Sequence, residues 1–504
     1  MFDGFILFGQ SIVRFGTPEV IFYALVSSLV GVIMGALPGL TATMALALMT
    51  TLTIKLPHDQ ALLILICTYV GSIYGGSRSA ILLNIPGTPA SAASCLDGYA
   101  LARQGLAGRA MGIATTGSVL GTLIGMFFLA FFTPILGGMA LKFGAYEFFW
   151  LALFGVIIAG TLTGDDPLKG WIAGIAGLLI AGIGQEPQYG YERFSWGVRD
   201  LAGGIQLVPA LVGAFGFAEL LTTMRTRQAP VKISPFDTVV PRIRDVAKYW
   251  RTILRSGIIG TGVGVVPGVG EDVAAWSSYA AAKRASKEKE LFGKGSVEGL
   301  MAAETGDNAC VPGAMIPVLT LAIPGSAPAA VLMAAMIIHG VKPGPMIMIE
   351  NPQFVYDVVA MMLFATIGIL IYGLVLTRAL VQVLRVPQHY IVPIIFVLCS
   401  VGSFAIAGRL FDVYVMLAFG LIGFFLRNYG YPMAPLVLGI VLGDLLEKNL
   451  RRALLLSDGD LTPFFTRPIS AGVAALIFGT IGFKLWSLRK QARLNAAAVA
   501  GAVP

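Results

Sequence analysis

This chain carries little charge and almost no histidine or cysteine, and each shortage rules something out. Only 12% of its 504 residues are Asp, Glu, Lys or Arg, against 56% in the apolar class, and mean hydropathy is +0.81. A soluble domain does not have that balance. The 3 histidines stand apart, with no pair at ligand spacing and no HExxH. The 4 cysteines, Cys67, Cys95, Cys310 and Cys399, lie scattered in apolar surroundings without a CxxC. A metal centre or a disulfide framework therefore has no basis, and small buried hydrophobes is the better reading of the cysteines. Neither a GxSxG serine nor a Walker GxxxxGK[ST] occurs, which argues against an enzyme, against ATP-driven pumping and against any bound cofactor. Energy input is left to an ion gradient or a separate subunit. The first twenty residues lack a basic start, apolar core and small-residue cleavage site, so insertion is expected to use the first true membrane segment.

What the chain has instead is long apolar stretches. A helix crossing hydrocarbon needs about 20 residues, and the stretches here supply roughly ten to twelve passes. The fold class is all-α, a polytopic membrane protein. The net charge of +8 and pI near 9.3 would suggest nucleic acid for a soluble protein. Here the basic residues gather in loops, chiefly 225 to 255 and 283 to 294, which is the positive-inside pattern and places both loops in the cytoplasm.

Two of the apolar stretches are interrupted in the same way. Residues 82 to 94 read LLNIPGTPASAAS, and residues 319 to 331 read LTLAIPGSAPAAV. Proline removes a backbone donor and clashes with the preceding turn, and the following glycine keeps the helix from resuming at once, so each run is expected to be a broken membrane helix. Freed backbone groups in a membrane must face protein or a polar cavity. Pro86-Gly87-Thr88 and Pro324-Gly325-Ser326 would then aim helix N-termini at one central site that favours an anion. The plainer reading of such a break is a packing kink, and its duplication weighs against that.

The duplication extends along the chain. Pro86 and Pro324 differ by 238 positions, Pro38 and Pro267 by 229, and Pro209 and Pro435 by 226, so the protein is an internal repeat joined by the hydrophilic loop. Basic clusters flank both ends of 256 to 282, which has Pro267-Gly268 at its middle, and a straight crossing would put one cluster outside. That segment is expected to be a re-entrant hairpin from the cytoplasm, and 21 to 54 its counterpart from the outer face, making the halves inverted repeats. The expected divisions are an N-terminal segment 1–20, a first membrane repeat 21–224, a basic cytoplasmic linker 225–255, a second repeat 256–455 and a C-terminal helix and tail 456–504. The tail after Arg493 is expected to lack structure. The charge bias does not settle the C-terminal topology, because Arg427, Lys448, Arg451, Arg452, Lys484, Arg489 and Lys490 cannot all face inward with simple crossings.

Ionisable groups inside a membrane cost roughly 2.5 to 3.5 kcal/mol each on insertion scales, so they are functional candidates. Arg78, whose repeat counterpart is Ile316, could pair with a substrate carboxylate or else serve a structural pair. Glu271 and Asp272 follow the hairpin tip, and Glu304, Asp307 and Asn308 precede the second broken helix. These could hold a coupling ion, Na+ or H+, or merely cap helices and meet water. Two helix N-termini contribute only about one positive charge, less than a di- or tricarboxylate carries, so Arg78 or bound cations are expected to offset the rest.

The segments 76 to 110 and 313 to 345, GSRSAILLNIPGTPASAASCLDGYALARQGLAGRA and GAMIPVLTLAIPGSAPAAVLMAAMIIHGVKPGP, resemble the signatures of the large membrane subunit of the tripartite tricarboxylate transporters. The likeness covers roughly residues 20 to 455. It implies a secondary transporter of the bacterial inner membrane, coupled to Na+ or H+, that imports carboxylates such as citrate. It also implies two partners, a periplasmic solute-binding protein that delivers substrate and a small membrane subunit. Site residues implied by it are Pro38, Gly39, Asn84 to Pro89, Pro267, Gly268, Asp307, Asn308 and Pro324 to Ser326. Among readings outside transport by a carrier, a passive anion channel and a non-transporting scaffold subunit stay open.

Overall fold

The computed structural model describes residues 2–37, 39–163, 166–186, 190–225, 239, 243–377, 379, 382 and 388–500. Pro38, Asp165 and most of the basic linker, including Arg227, Lys232 and Arg242, lie outside the described residues. Eight of the described helices are long and apolar enough to cross a membrane. Fewer than the number expected from apolar stretches, they are supplemented by broken pairs and shorter helices, because the breaks divide several stretches into halves.

Helix α1 (Phe2–Phe15) precedes the first repeat, which opens with α2 (Pro18–Ala36), a bend, and α3 (Ala42–Thr53), which starts where the Thr41 side chain accepts from the Met44 amide at 3.2 Å. The next helix, α4 (His58–Leu83), ends at the first Pro-Gly break, and short helical turns carry the chain from Pro89 to Arg103. Helices α5 (Ala107–Ala140), α6 (Ala145–Leu162), α7 (Pro167–Ala181) and α8 (Leu207–Arg225) complete the repeat. A two-stranded hairpin, β1 (Gly184–Gln185) against β2 (Glu192–Arg193), lies between the last two. The second repeat has the same plan. Its hairpin is α9 (Ile243–Val265) and α10 (Gly270–Ala285), and its broken helix is α11 (Val297–Leu321) followed by α12 (Ala327–Ile338). Helices α13 (Gln353–Leu374), α14 (Gln388–Ala407), α15 (Leu410–Asn428), α16 (Met433–Leu456) and α17 (Pro468–Ala500) follow.

The two breaks have the same backbone. Asn84 closes α4 at φ 58°, ψ 28°, and Ala322, its counterpart, closes α11 at φ 56°, ψ 37°. Both are left-handed helix ends two residues ahead of the proline. The glycines match as well. Gly31 and Gly35 on α2 press against the backbone of Thr68 and Ser72 on α4, and Gly260 and Gly264, each 229 positions on, press against Gly306 and Cys310 on α11. Gly87 abuts the Gly35 carbonyl, and Gly325 abuts the Gly264 carbonyl. Hairpin and broken helix thus meet backbone to backbone in both repeats, which only residues without a side chain allow.

Face assignments follow from contacts between helix ends. Arg14 on α1 is ion-paired with Asp59 at the start of α4 and with Asp357 at the start of α13 (2.8 Å), so these ends share one face. On the opposite face, Arg109 at the start of α5 meets Asp245 on α9 at 3.0 Å, and Lys248 meets Glu288 after α10 at 2.8 Å. The hydrogen bond with Glu288 holds the Lys248 ammonium above its ordinary pKa, and that with Lys248 holds the Glu288 carboxylate below its own. This is the basic face. The hairpin α2–α3 enters from the face opposite it and α9–α10 enters from the basic face, so the repeats are inverted. Tyr249, at φ −108° and ψ 19°, marks where α9 turns from the surface into the bundle.

The C-terminal topology, open from charge alone, is decided by these contacts. Arg193 in the β-hairpin is bonded to Glu447 on α16 at 2.6 and 2.9 Å, and Arg467 ahead of α17 is bonded to Glu147 on α6 at 2.9 Å. Lys448 and Arg451 are paired one turn back with Asp444 and Glu447. These basic residues therefore sit on the non-basic face in ion pairs, while α17 returns Lys484 and Arg489 to the basic face. The positive-inside bias acts over the whole chain and does not bind each loop. Contrary to expectation, the segment after Arg493 is helical as far as Ala500, in keeping with its alanine-rich sequence.

The glycine contacts make a test with an internal control. Gly260→Ala drives a Cβ into the Gly306 carbonyl, whereas Gly262→Ala on the same helix meets open space. The first should destabilise the protein by about 1 to 3 kcal/mol through overpacking, and the second should leave it unchanged or slightly stabilised. Thermal unfolding of the two purified variants in detergent checks the difference.

Candidate functional site

The breaks converge. A cavity of about 380 Å³ lies where the starts of α3, α10, α12 and the segment from Pro89 come together, lined by Thr41, Ala42, Thr88, Pro89, Gly270, Ala327 and Pro328. Two of these starts belong to each repeat. Each is a point where backbone N–H groups lack an intrahelical acceptor, so the cavity wall is electropositive along these edges. Thr88 contributes a hydroxyl that, among the described residues, has no hydrogen-bond partner.

The carboxylates Glu271 and Asp272, in the first turn of α10, line the same cavity. Tyr69 on α4 donates to Glu271 and lies 2.7 Å from the Ser326 hydroxyl, so one buried phenol joins the first repeat to both interruptions of the second. Ser326 in turn accepts from the Ala329 amide at 3.3 Å and caps α12. The Gly268 amide, at φ 73°, donates to the Pro324 carbonyl at 3.3 Å, tying the hairpin tip to the broken helix.

A second polar cluster lies behind this wall. Glu304 is fully buried on α11 and accepts from Ser77 (2.7 Å), Ser94 (2.5 Å) and Ser118 (3.0 Å), which come from α4, the segment after Pro89, and α5. Asn308 donates to Ser118 (3.0 Å) and to Asp307 (2.8 Å). The second carboxylate oxygen of Asp307 and the amide oxygen of Asn308 are buried without a partner among the described residues. Unsatisfied acceptors at that depth are costly, and hard cations bind oxygens of this kind.

The residues singled out in the sequence therefore divide. Thr88, Gly268, Glu271 and Asp272 line the cavity. Asn84, Pro86, Gly87, Pro267, Pro324, Gly325 and Ser326 build the turns behind it and are not part of its lining. Gly39, at φ 94°, packs on Thr223 in the first hairpin's bend, and Pro38 lies outside the described residues. Asp307 and Asn308 belong to the inner cluster. Arg78 is turned away altogether. Its guanidinium donates to Thr115 at 3.0 Å and to the Met111 sulfur at 3.2 Å and lies 4.2 Å from the Tyr74 ring centroid, between α4 and α5. Its position on the helix, one turn after Tyr74, points it at α5. These contacts fit the structural reading of Arg78, which is not among the residues lining the cavity.

Lining residues to which the sequence reading gave no site role include Thr41, Thr163, Glu219, Arg427 and Tyr431. Glu219 on α8 and Arg427 at the end of α15 form an ion pair across a separation of 208 residues, which no local pattern signals.

The model of the tripartite tricarboxylate transporter TctA family matches residues 21–438. The chain belongs to that family. TctA proteins are the large subunits of tripartite tricarboxylate transporters, so this is a multi-pass membrane subunit of a transporter. An Agrobacterium vitis protein, described as an uncharacterized 52.8 kDa protein in the TAR-I ttuC' 3' region, is 36% identical over 461 residues, 91% of this chain and 92% of its own. Another from the same organism, an uncharacterized protein in the TAR-II ttuC' 3' region, is 37% identical over 217 residues, 43% of this chain and 90% of its own. No solved structure matches. Membership implies a periplasmic binding protein and a small membrane subunit as partners.

For this TctA protein the geometry separates Thr88 from Arg78. Thr88→Ala should raise the KM for the transported solute roughly tenfold by removing a cavity hydrogen bond, while Arg78→Met should change it less than about twofold. Initial-rate uptake in proteoliposomes measures both.

Proposed function

We propose that this chain is a secondary active transporter that imports di- or tricarboxylates of the citrate type across the bacterial inner membrane, driven by a gradient of Na+ or H+. A periplasmic solute-binding protein delivers the substrate, and a small membrane subunit completes the complex. The observation that carries this reading is the meeting of four interrupted helix starts, two from each inverted repeat, around one cavity that also holds Glu271 and Asp272.

Each helix N-terminus acts as about half a positive charge, so four offer about two, enough to attract a dicarboxylate. The two ionised carboxylates cancel that attraction. An anion enters beside them only when Na+ or H+ neutralises them first, and that requirement is the coupling. Asp307, Asn308 and Glu304 are the proposed inner station of the ion, where the partnerless oxygens of Asp307 and Asn308 are its acceptors. Because the repeats are inverted, one cavity between them can be presented to each side in turn. The basic face is taken as cytoplasmic, and the cavity reaches it at Thr163, Glu219, Arg427 and Tyr431.

Proteoliposomes containing this chain, its small partner and a loaded binding protein should accumulate labelled carboxylate only under a Na+ or H+ gradient. Glu271→Gln, which fixes one carboxylate as neutral, should abolish gradient-driven accumulation and retain solute exchange. Conduction without a gradient and without the binding protein would identify an anion channel instead.

A further inference from the structure

The rim of the cavity on the basic face holds a charge arrangement that the transport reading does not use. Among the described residues lining the cavity, Arg427 is the only cation, and the lining also holds three carboxylates, Glu219, Glu271 and Asp272. Glu219 engages it through Nη1. The pair is not sealed: the Arg427 side chain is 32% exposed and that of Glu219 14%. A guanidinium presents five donors in a planar fork, so one carboxylate contact at Nη1 leaves others for a second carboxylate. The loop that follows Arg427 is itself held, since Lys169 on α7 donates to the Tyr429 carbonyl at 2.7 Å and lies 5.4 Å from the Tyr431 ring centroid.

We propose that Arg427 binds a carboxylate of the transported anion on the cytoplasmic side, and that Glu219 occupies the same guanidinium when the anion leaves. This rests on the reading of the chain as a carboxylate transporter. The physical reason for the exchange is release. An unopposed guanidinium beside several helix N-termini would hold a di- or tricarboxylate too tightly to let it go, whereas a tethered carboxylate competes for the charge and keeps the inward site weak. Arg427 thus accepts the anion, and Glu219 expels it. Both groups lie on α8 and α15, apart from the broken helices, so the contact is made only where the cavity meets this wall.

The two residues then have opposite effects, which a merely structural ion pair would not show. In vesicles loaded with radiolabelled citrate, succinate or malate, solute counterflow from the cytoplasmic side gives an apparent affinity and a turnover. Glu219→Gln should tighten the apparent affinity about tenfold and slow turnover, as expected when one competing charge is removed. Arg427→Gln should weaken it by at least as much, Arg427→Lys should restore most of it, and the double variant should fall between the single ones. If both single variants change affinity in the same direction, or if neither changes it while both lower thermal stability, the proposal is overturned and the pair is structural. If wild-type protein counterflows none of the three solutes, the carboxylate reading falls and this proposal falls with it.

Discussion

Backbone groups released inside a membrane must find partners, and most of this architecture answers that demand. At both breaks the helix ends in a left-handed residue, Asn84 or Ala322, after which the chain turns across the hairpin of its own repeat. The Gly87 amide donates to the Gly76 carbonyl at 3.3 Å, and the Gly268 amide donates to the Pro324 carbonyl at the same distance. Those contacts require close backbone approach, which explains why Gly35 and Gly87 in one repeat, and Gly264 and Gly325 in the other, meet directly. The new helix starts, two of them capped by the Thr41 and Ser326 hydroxyls, surround the cavity.

Electrostatics then links the cavity to its function. A wall of helix starts draws in anions, but Glu271 and Asp272 stand in the same wall and Glu304 and Asp307 lie buried behind it. In the transport reading proposed above, neutralising these carboxylates is what admits the anion, and that is how substrate and cation would be linked. The Tyr69 hydroxyl reaches across the repeats to Glu271 and Ser326. A separate element of the cavity wall, the ion pair of Arg427 with Glu219, joins α15 to α8.

Much of the design is legible in the sequence. The duplicated Pro-Gly runs, the offset of their spacing and the basic flanks of 256 to 282 together implied broken helices, hairpins and inverted halves, since proline chemistry and charge placement act locally. Side-chain direction was not legible. Arg78 looks like an anion partner in sequence and packs on Thr115 and Tyr74 in the fold. Arg427 looks like an ordinary loop charge and lines the cavity. The difference is which way each faces on its helix relative to a neighbour hundreds of residues away.

The sequence by itself determined that the chain lives in a membrane, that it is doubled, and where its helices break, because hydropathy, proline and repeat spacing are properties of short stretches. Only the tertiary structure decided that the breaks share one cavity, that Thr88, Glu271 and Asp272 face it while Pro86 and Pro324 stand behind, and on which face Lys448 and Arg451 lie. Those are questions of how distant segments pack, and packing is set by contacts that no single stretch contains.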